Sequence, residues 1–595
     1  MLQWRAVKVR ALVLLLVVAC LAYAEDDPLP AGALARLGST RLRHQDEVVS
    51  LAFSPDSKVL ASTGHDGAVR LWEVPSGRAL GRFATRGDES VAWIGTAKLG
   101  LVSERGVRFL DREGKDSAGW QAADERTCAV ALSPSGKLVA YGTKAGDLHV
   151  CDAATGVEQW WVHAHDDHVL AIAFSPDEKL VATTSRDGKL HVWRGKEPVA
   201  SRPVELGTWL GFSPDGEALA VVAVDRLTVL RSEDAAVEYE AEAERLHACA
   251  FGPGSRSLAL VSHDRQVVLL DLEQRTRRVL EGRAEATAAA IAPDGKTVAT
   301  GDRAGTIDLW NAAGGRAFDL PRHASRVARV AVSPNEKTIV TLAQDGALHL
   351  WRDGEHEELP VEGYPSAVEF APDGALVVGC VRGPVRLMDL ATRTVLRRID
   401  VGGGSFDAVA IATSGTRVVA GSRAGVLTIQ DGSVSHAYNF EAAVTCVTFA
   451  GDRVLVATAD RKVRVMGSAG EVSVGHLPEG SSRVASALSV SGDGAVVAIL
   501  WTDGTLRVCA LPGFEEKRAL PEKCSAAAFA PSGRRLAIGM SDGSVKIVDT
   551  DGGAEERVFR GHAGGVTCLA WSPDGARLVS GSRDGTALVW KADER

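Results

Sequence analysis

A turn tetrapeptide returns along almost the whole chain, and no other feature constrains the fold as strongly. It reads SPDS at Ser54, SPSG at Ser133, SPDE at Ser175, SPDG at Ser213, APDG at Ala292 and SPNE at Ser333. It continues as APDG at Ala371, TSGT at Thr413, SGDG at Ser491, APSG at Ala530 and SPDG at Ser572, with weaker members near Trp93, Gly252 and Ala450. These make fourteen units with a period of about 40 residues, the length of one four-stranded antiparallel repeat. Pro sets the backbone ahead of each bend, and Gly accepts the positive φ that a tight hairpin needs. Between turns the apolar residues run in short β-branched stretches, too short for a typical helix and suited to buried strands. The chain is therefore expected to be all-β. The glutamate-rich stretch from Glu238 to Arg245 is expected to continue an outer strand and loop rather than form a short helix.

Four units share four polar or aromatic residues at identical intervals of 18, 4 and 6 positions. They are His44, Ser62, Asp66 and Trp72; His165, Thr183, Asp187 and Trp193; His323, Thr341, Asp345 and Trp351; and His562, Ser580, Asp584 and Trp590. In this pattern the chain resembles the WD-repeat family, whose hallmark is a hydrogen-bonded tetrad of these residue types within one blade. An imidazole, a hydroxyl, a carboxylate and an indole N–H are each costly to bury alone, but in a chain each supplies the partner another needs. Other units keep fragments: Thr300 and Trp310 without the acid, which is Ala304, and Asp503 and Asp542 with Cys509 and Val548 in place of the indole. Those blades must lean on apolar packing and on their neighbours.

Fourteen blades in one ring would leave a wide, poorly filled channel, so two seven-bladed β-propellers in tandem are expected, over 34–320 and 321–595. The last unit ends one strand short at Trp590-Lys591, while Leu34 to Leu42 precedes the first full unit. This N-terminal strand is expected to close one ring, so that no long edge stays exposed. The sequence leaves open which ring it closes.

Residues 1–24 read as a signal peptide: a basic start, an apolar run from Ala11 and a small-x-small end at Ala22-Tyr23-Ala24, followed by a linker at 25–33. The apolar run falls short of the roughly twenty residues of a spanning helix. The expected product is an exported protein, periplasmic, envelope-associated or secreted. Val17-Val18-Ala19-Cys20 also offers a lipobox-like alternative with a lipid anchor at Cys20. Heavy use of Ala, Gly, Val and Arg fits a bacterial source. The net charge of −9 carries no basic run, which argues against nucleic-acid binding. Nine cysteines include no Cys-x-x-Cys, and Cys128, Cys249, Cys446 and Cys568 sit in apolar stretches as small hydrophobes.

No chemistry is expected of the remaining candidates. The cluster His163, His165 and His168 suggests a metal, but His165 already belongs to a tetrad. Asp549-Thr550-Asp551-Gly552 with Glu555 lacks the full set of a calcium loop and reads as a solvated loop. No nucleophile elbow, phosphate loop or paired-carboxylate motif occurs, so no catalytic residue, metal or cofactor is assigned.

The resemblance implies a rigid platform whose partners contact the face where the tetrad loops emerge, at the residue just before the tetrad Asp. Carried over, these positions are His65, Arg186, Gln344 and Arg583, with His263, Arg303 and Arg423 from degenerate units. Most can be basic, which suits an acidic protein patch or peptide, because Arg offers a planar fork to carboxylates. The expected function is a non-catalytic protein-interaction scaffold. The alternatives are an exported propeller enzyme or carbohydrate-binding protein with a central pocket, and a membrane-tethered sensor.

Overall fold

The structure, a computed structural model, describes residues 29–592 with interruptions, the longest at 118–126, 312–322, 400–407 and 477–483. The signal-peptide and Cys20 readings lie outside the described residues. Short apolar runs separated by turns become strands throughout, arranged in fourteen antiparallel sheets among the described residues. All but one of these sheets have four strands. Each is one sequence unit, numbered here as blades 1 to 14 in chain order, with the first strand of each unit innermost. The stretch after Glu238 falls in the outer strand Val237–Glu242 of blade 5. Among the described residues no helix is long and apolar enough to cross a membrane.

The chain divides into two compact units, Arg41–Asp319 and Leu320–Arg595, the latter joined by Met1–Thr40. Blades 1 to 7 make up the first unit and blades 8 to 14 the second. In the first, inner strand Val48–Phe53 of blade 1 lies beside inner strand Ala286–Ile291 of blade 7. Thr287 Oγ1 donates to Val48 O across that seam at 2.7 Å. In the second, Val327–Val332 of blade 8 lies beside Val566–Trp571 of blade 14, and Thr567 Oγ1 donates to Val327 O. The sheets of each unit thus close on themselves.

The N-terminal strand, for which the sequence left two rings open, is Ala33–Leu37, and it pairs antiparallel with Ala587–Lys591. It is the outer strand of blade 14 and belongs to the second unit, which corrects a first domain beginning at residue 34. The end of the same expected strand goes elsewhere. Leu42 O accepts from Ile307 N–H at 2.9 Å, and His44 N–H donates to Gly305 O at 2.7 Å. Leu42 itself is fully buried among Val48, Leu60, Trp72, Ile307 and Leu309, so it locks blade 1 to blade 7. Burying a leucine contributes about 1.5–3 kcal/mol.

The recurring turn is a small hydrogen-bonded unit. Ser54 Oγ donates to Asp56 Oδ1 at 2.5 Å and accepts the Val59 N–H at 2.9 Å, and the same pair of bonds forms at Ser175, Ser213, Ser333, Ser491 and Ser572. The fourth turn residue has positive φ even where it is not Gly, as at Ser57 (59°), Glu178 (60°) and Glu336 (59°). That left-handed backbone costs about 1–2 kcal/mol for an L-residue. These side chains hold the neighbouring blade's turn in return. Ser57 Oγ accepts the Asp294 N–H at 3.0 Å, and Glu336 Oε1 accepts the Asp574 N–H at 3.0 Å. Both bonds span a ring closure, blade 1 to 7 and blade 8 to 14.

Deleting residues 29–37 removes the outer strand of blade 14 and exposes its edge. Amide exchange read peptide by peptide should accelerate across Leu320–Arg595 and stay unchanged across Arg41–Asp319; equal effects on both units would refute the assignment.

Candidate functional site

The turn face of the blades is built by the tetrads. In blade 1, Trp72 Nε1 donates to Ser62 Oγ at 2.8 Å, Ser62 Oγ and His44 Nε2 lie 2.7 Å apart, and His44 Nδ1 reaches Asp66 Oδ1 at 2.8 Å. Blade 4 repeats this with Trp193, Thr183, His165 and Asp187 at 3.1, 2.8 and 3.0 Å. Blade 14 repeats it with Trp590, Ser580, His562 and Asp584 at 2.7, 2.7 and 3.1 Å. The carboxylates also accept the N–H of the residue after the histidine, Gln45, Asp166 or Ala563. Each network therefore pins the entry loop of a blade to the turn between its second and third strands.

Protonation follows from burial and partners. Burial lowers the pKa of His44 and of His165, against the pull of their aspartates, so the imidazoles are neutral. The neutral ring then donates from Nδ1 to the carboxylate and accepts the hydroxyl at Nε2. Burial alone would raise Asp66, Asp187 and Asp584, but hydrogen bonds from histidine and backbone hold all three below the usual carboxylate range. Arg70 adds a cation 2.5 Å from Asp66.

Blade 8 departs from the expected complete tetrad. His323 Nε2 and Thr341 Oγ1 are 2.6 Å apart, and Trp351 donates to Thr341 at 2.8 Å. Asp345 does not join them: it is exposed, and its carboxylate accepts the Ala347 N–H of its own turn. The His349 ring packs 4.0 Å from that of His323 and is hydrogen-bonded to His356. Of the fragments, Trp310 donates to Thr300 at 2.9 Å in blade 7.

Sequence reading missed a substitute used by blades without the histidine. In blade 11, Arg464 from the third strand donates to Thr458 Oγ1 and pairs with Asp460 at 2.7 Å. In blade 9, Arg386 donates to Glu362 O at 2.7 Å. Both arginines are buried, in the register that Arg70 holds in blade 1. The shared spacing Asp66 to Arg70 and Asp460 to Arg464 was the available signal.

The expected contact positions share one anchor. The backbone N–H of His65, Arg186, Arg303, Gln344 and Arg583 donates to the carbonyl of Glu47, His168, Glu285, Arg326 and Gly565, at 2.9–3.0 Å, and all five residues are exposed. Arg423 is exposed as well, and His263 lies outside the described residues. Their electrostatic settings differ. Arg303 reaches Glu285 at 3.2 Å and Glu47 at 3.7 Å, and His65 lies 3.9 Å from the same Glu47. The histidines of the suspected metal cluster go separate ways, His163 to Asp147, His165 to Asp187 and His168 to Asp167. Asp551 and Gly552 of the suspected calcium loop lie outside the described residues. Cys249, Cys446 and Cys568 are buried free thiols, and burial pushes Cys446 up to about 12 and Cys568 to about 11.

Two outcomes follow. Asp584→Ala strips a buried network of its carboxylate and should cost roughly 2–3 kcal/mol, whereas exposed Asp345→Ala should cost under about 1 kcal/mol; urea unfolding of the two variants decides it. Below the free imidazole value of 6.5, the unfolded chain takes up protons that buried His44 and His165 refuse. Stability should therefore fall as pH drops through that value, while the tetrad carboxylates hold their contribution down to about pH 4. A melting temperature unchanged between about pH 7.5 and 5.5 would contradict the neutral imidazoles.

The WD domain, G-beta repeat model matches residues 37–73, 158–194 and 553–591. These stretches contain the three tetrads that close. Over 73 residues the chain is 41% identical to a serine-threonine kinase receptor-associated protein of Dictyostelium discoideum. That match covers 12% of this chain and 25% of the relative, so it spans a quarter of the relative's length. Repeats, tetrads and sheet architecture agree: the chain carries WD repeats and is built of tandem antiparallel β-propeller blades.

Proposed function

We propose that this protein is a non-catalytic scaffold that holds a protein or peptide partner on the turn face of its blades. A protein-interaction role is what the WD-repeat match supports in general. The finer reading rests on one observation: His65, Arg186, Arg303, Gln344 and Arg583 are fixed by the same backbone bond and leave their side chains exposed. A side chain on a fixed turn binds with little loss of backbone freedom. Arg186, Arg303, Arg423 and Arg583 suit an acidic partner, and each exposed ion pair contributes only about 0.2–1 kcal/mol, so several must act together. Export through residues 1–24 is part of this proposal, with lipid attachment at Cys20 as its variant; N-terminal sequencing of the mature chain distinguishes the two.

Affinity capture with the mature chain, beside the double variant Arg186→Glu/Arg303→Glu, tests the face. A partner held by the wild type and lost by the variant, with the melting temperature unchanged, is the expected result. A partner retained equally by both, or none recovered by either, would overturn the reading.

A further inference from the structure

The two rings differ in what lines their lumens. In most blades the inner strand shifts register against its neighbour near its start, and the first residue after the shift marks a common level. In the first unit that residue is Ser50, Ala129, Ala171, Ala248 or Ala288 in the blades that show the shift, and two residues further on each of these has Ala. In the second unit the same level carries Ala367, Cys446, Ala487, Ala526 and Cys568, but Arg329 in blade 8. Two residues on stand Ala331, Thr448, Ser489, Ala528 and Ala570, but Glu369 in blade 9. Small residues keep the lumen open, and two charges of opposite sign enter it from adjacent blades.

Both side chains line a cavity of about 520 Å³, whose wall also includes Thr445, Thr448, Ser486 and Thr567. Both are exposed to it. Burial raises the thiols of Cys446 and Cys568, and the charge of Arg329 draws both partly back. Cys446 belongs to blade 11, across the ring, so the guanidinium acts through the lumen. Arg329 donates to the carbonyl of Ala328 at 2.9 Å, and among the described residues no carboxylate pairs with it. Glu369 likewise has no ion pair or hydrogen bond for its carboxylate among the described residues. It opens onto the lumen but is surrounded by protein, and that desolvation pushes it up to about 7. By contrast, the corresponding cavity of the first unit, about 900 Å³, has Arg245 as its one charged lining residue among the described residues.

An unpaired cation and an unpaired acid in a narrow lumen cost free energy that a ligand of matching charges recovers. Two residues of strand separate their levels by roughly 7 Å. We propose that the lumen of the second unit binds a small zwitterion, with the ligand carboxylate on the Arg329 guanidinium and its ammonium on the Glu369 carboxylate. The guanidinium fork matches a carboxylate, and Thr448, at the level of Glu369 on the cavity wall, adds a hydroxyl. This site is independent of the turn face.

Isothermal titration of the mature chain with β-alanine, γ-aminobutyrate, ε-aminocaproate and glycylglycine tests it. At least one should bind, with affinity depending on length, and its carboxamide and N-acetyl derivatives should bind at least about tenfold more weakly. Arg329→Gln and Glu369→Gln should each weaken the same ligand by a similar factor. Because Glu369 ionises near neutrality, binding should be tighter at about pH 8 than at about pH 6. Failure of the whole series to bind, equal binding of the blocked derivatives, or binding that survives both substitutions would overturn the proposal. The derivatives decide it even if a variant fails to fold.

Discussion

The seam at which each ring meets its own beginning is the constraint on which the rest of the protein depends. A blade packs its sheet faces against two neighbours, so an unclosed series would expose one apolar face and one strand edge at each end. Two different devices prevent this. In the second unit Ala33–Leu37 supplies a strand to a sheet whose other strands come from the far end of the chain. In the first, Leu42 enters as an apolar plug between blades 1 and 7, held by backbone bonds to Gly305 and Ile307. One short N-terminal segment thus serves both closures. The turn bonds from Ser57 to Asp294 and from Glu336 to Asp574 reinforce the same two seams from the opposite end of the blades.

Closure makes each blade's position certain, and the tetrads then set how rigid its turn face is. In blades 1 and 4 the closed tetrad puts an ionised aspartate and a neutral histidine where neither would be stable alone, and each satisfies the other. Blade 8 holds the same four residue types without closing the network: His323, Thr341 and Trp351 are joined while Asp345 stays exposed. Blades 9 and 11 reach a similar end by another route, a buried arginine that ties the entry loop or the turn. In these blades a buried polar group fixes the entry loop, the turn or both, whichever residue supplies it.

The two surfaces with functional content are products of this frame. The turn face repeats a single exposed position from blade to blade at fixed height, which suits an extended macromolecular contact. The lumen concentrates two charges from adjacent blades in a confined volume, which suits a small molecule. Arg303, braced by Glu285 and Glu47, belongs to the first kind of site; Arg329, braced by no carboxylate among the described residues, belongs to the second.

Much was legible in the residues because it is local. Pro and Gly in the turns, β-branched runs between them, and the tetrad intervals all act over one unit of chain, where sterics and short-range hydrogen bonds dominate, and they determined strands, period and blade. The tetrad of blade 1 was readable for that reason. The pairing of Ala33–Leu37 with blade 14, the exposure of Asp345 and the convergence of Arg329 with Glu369 were decided by tertiary structure alone. Each depends on which blades become neighbours around an axis and on the space left between them, and no interval within a single repeat encodes that distance.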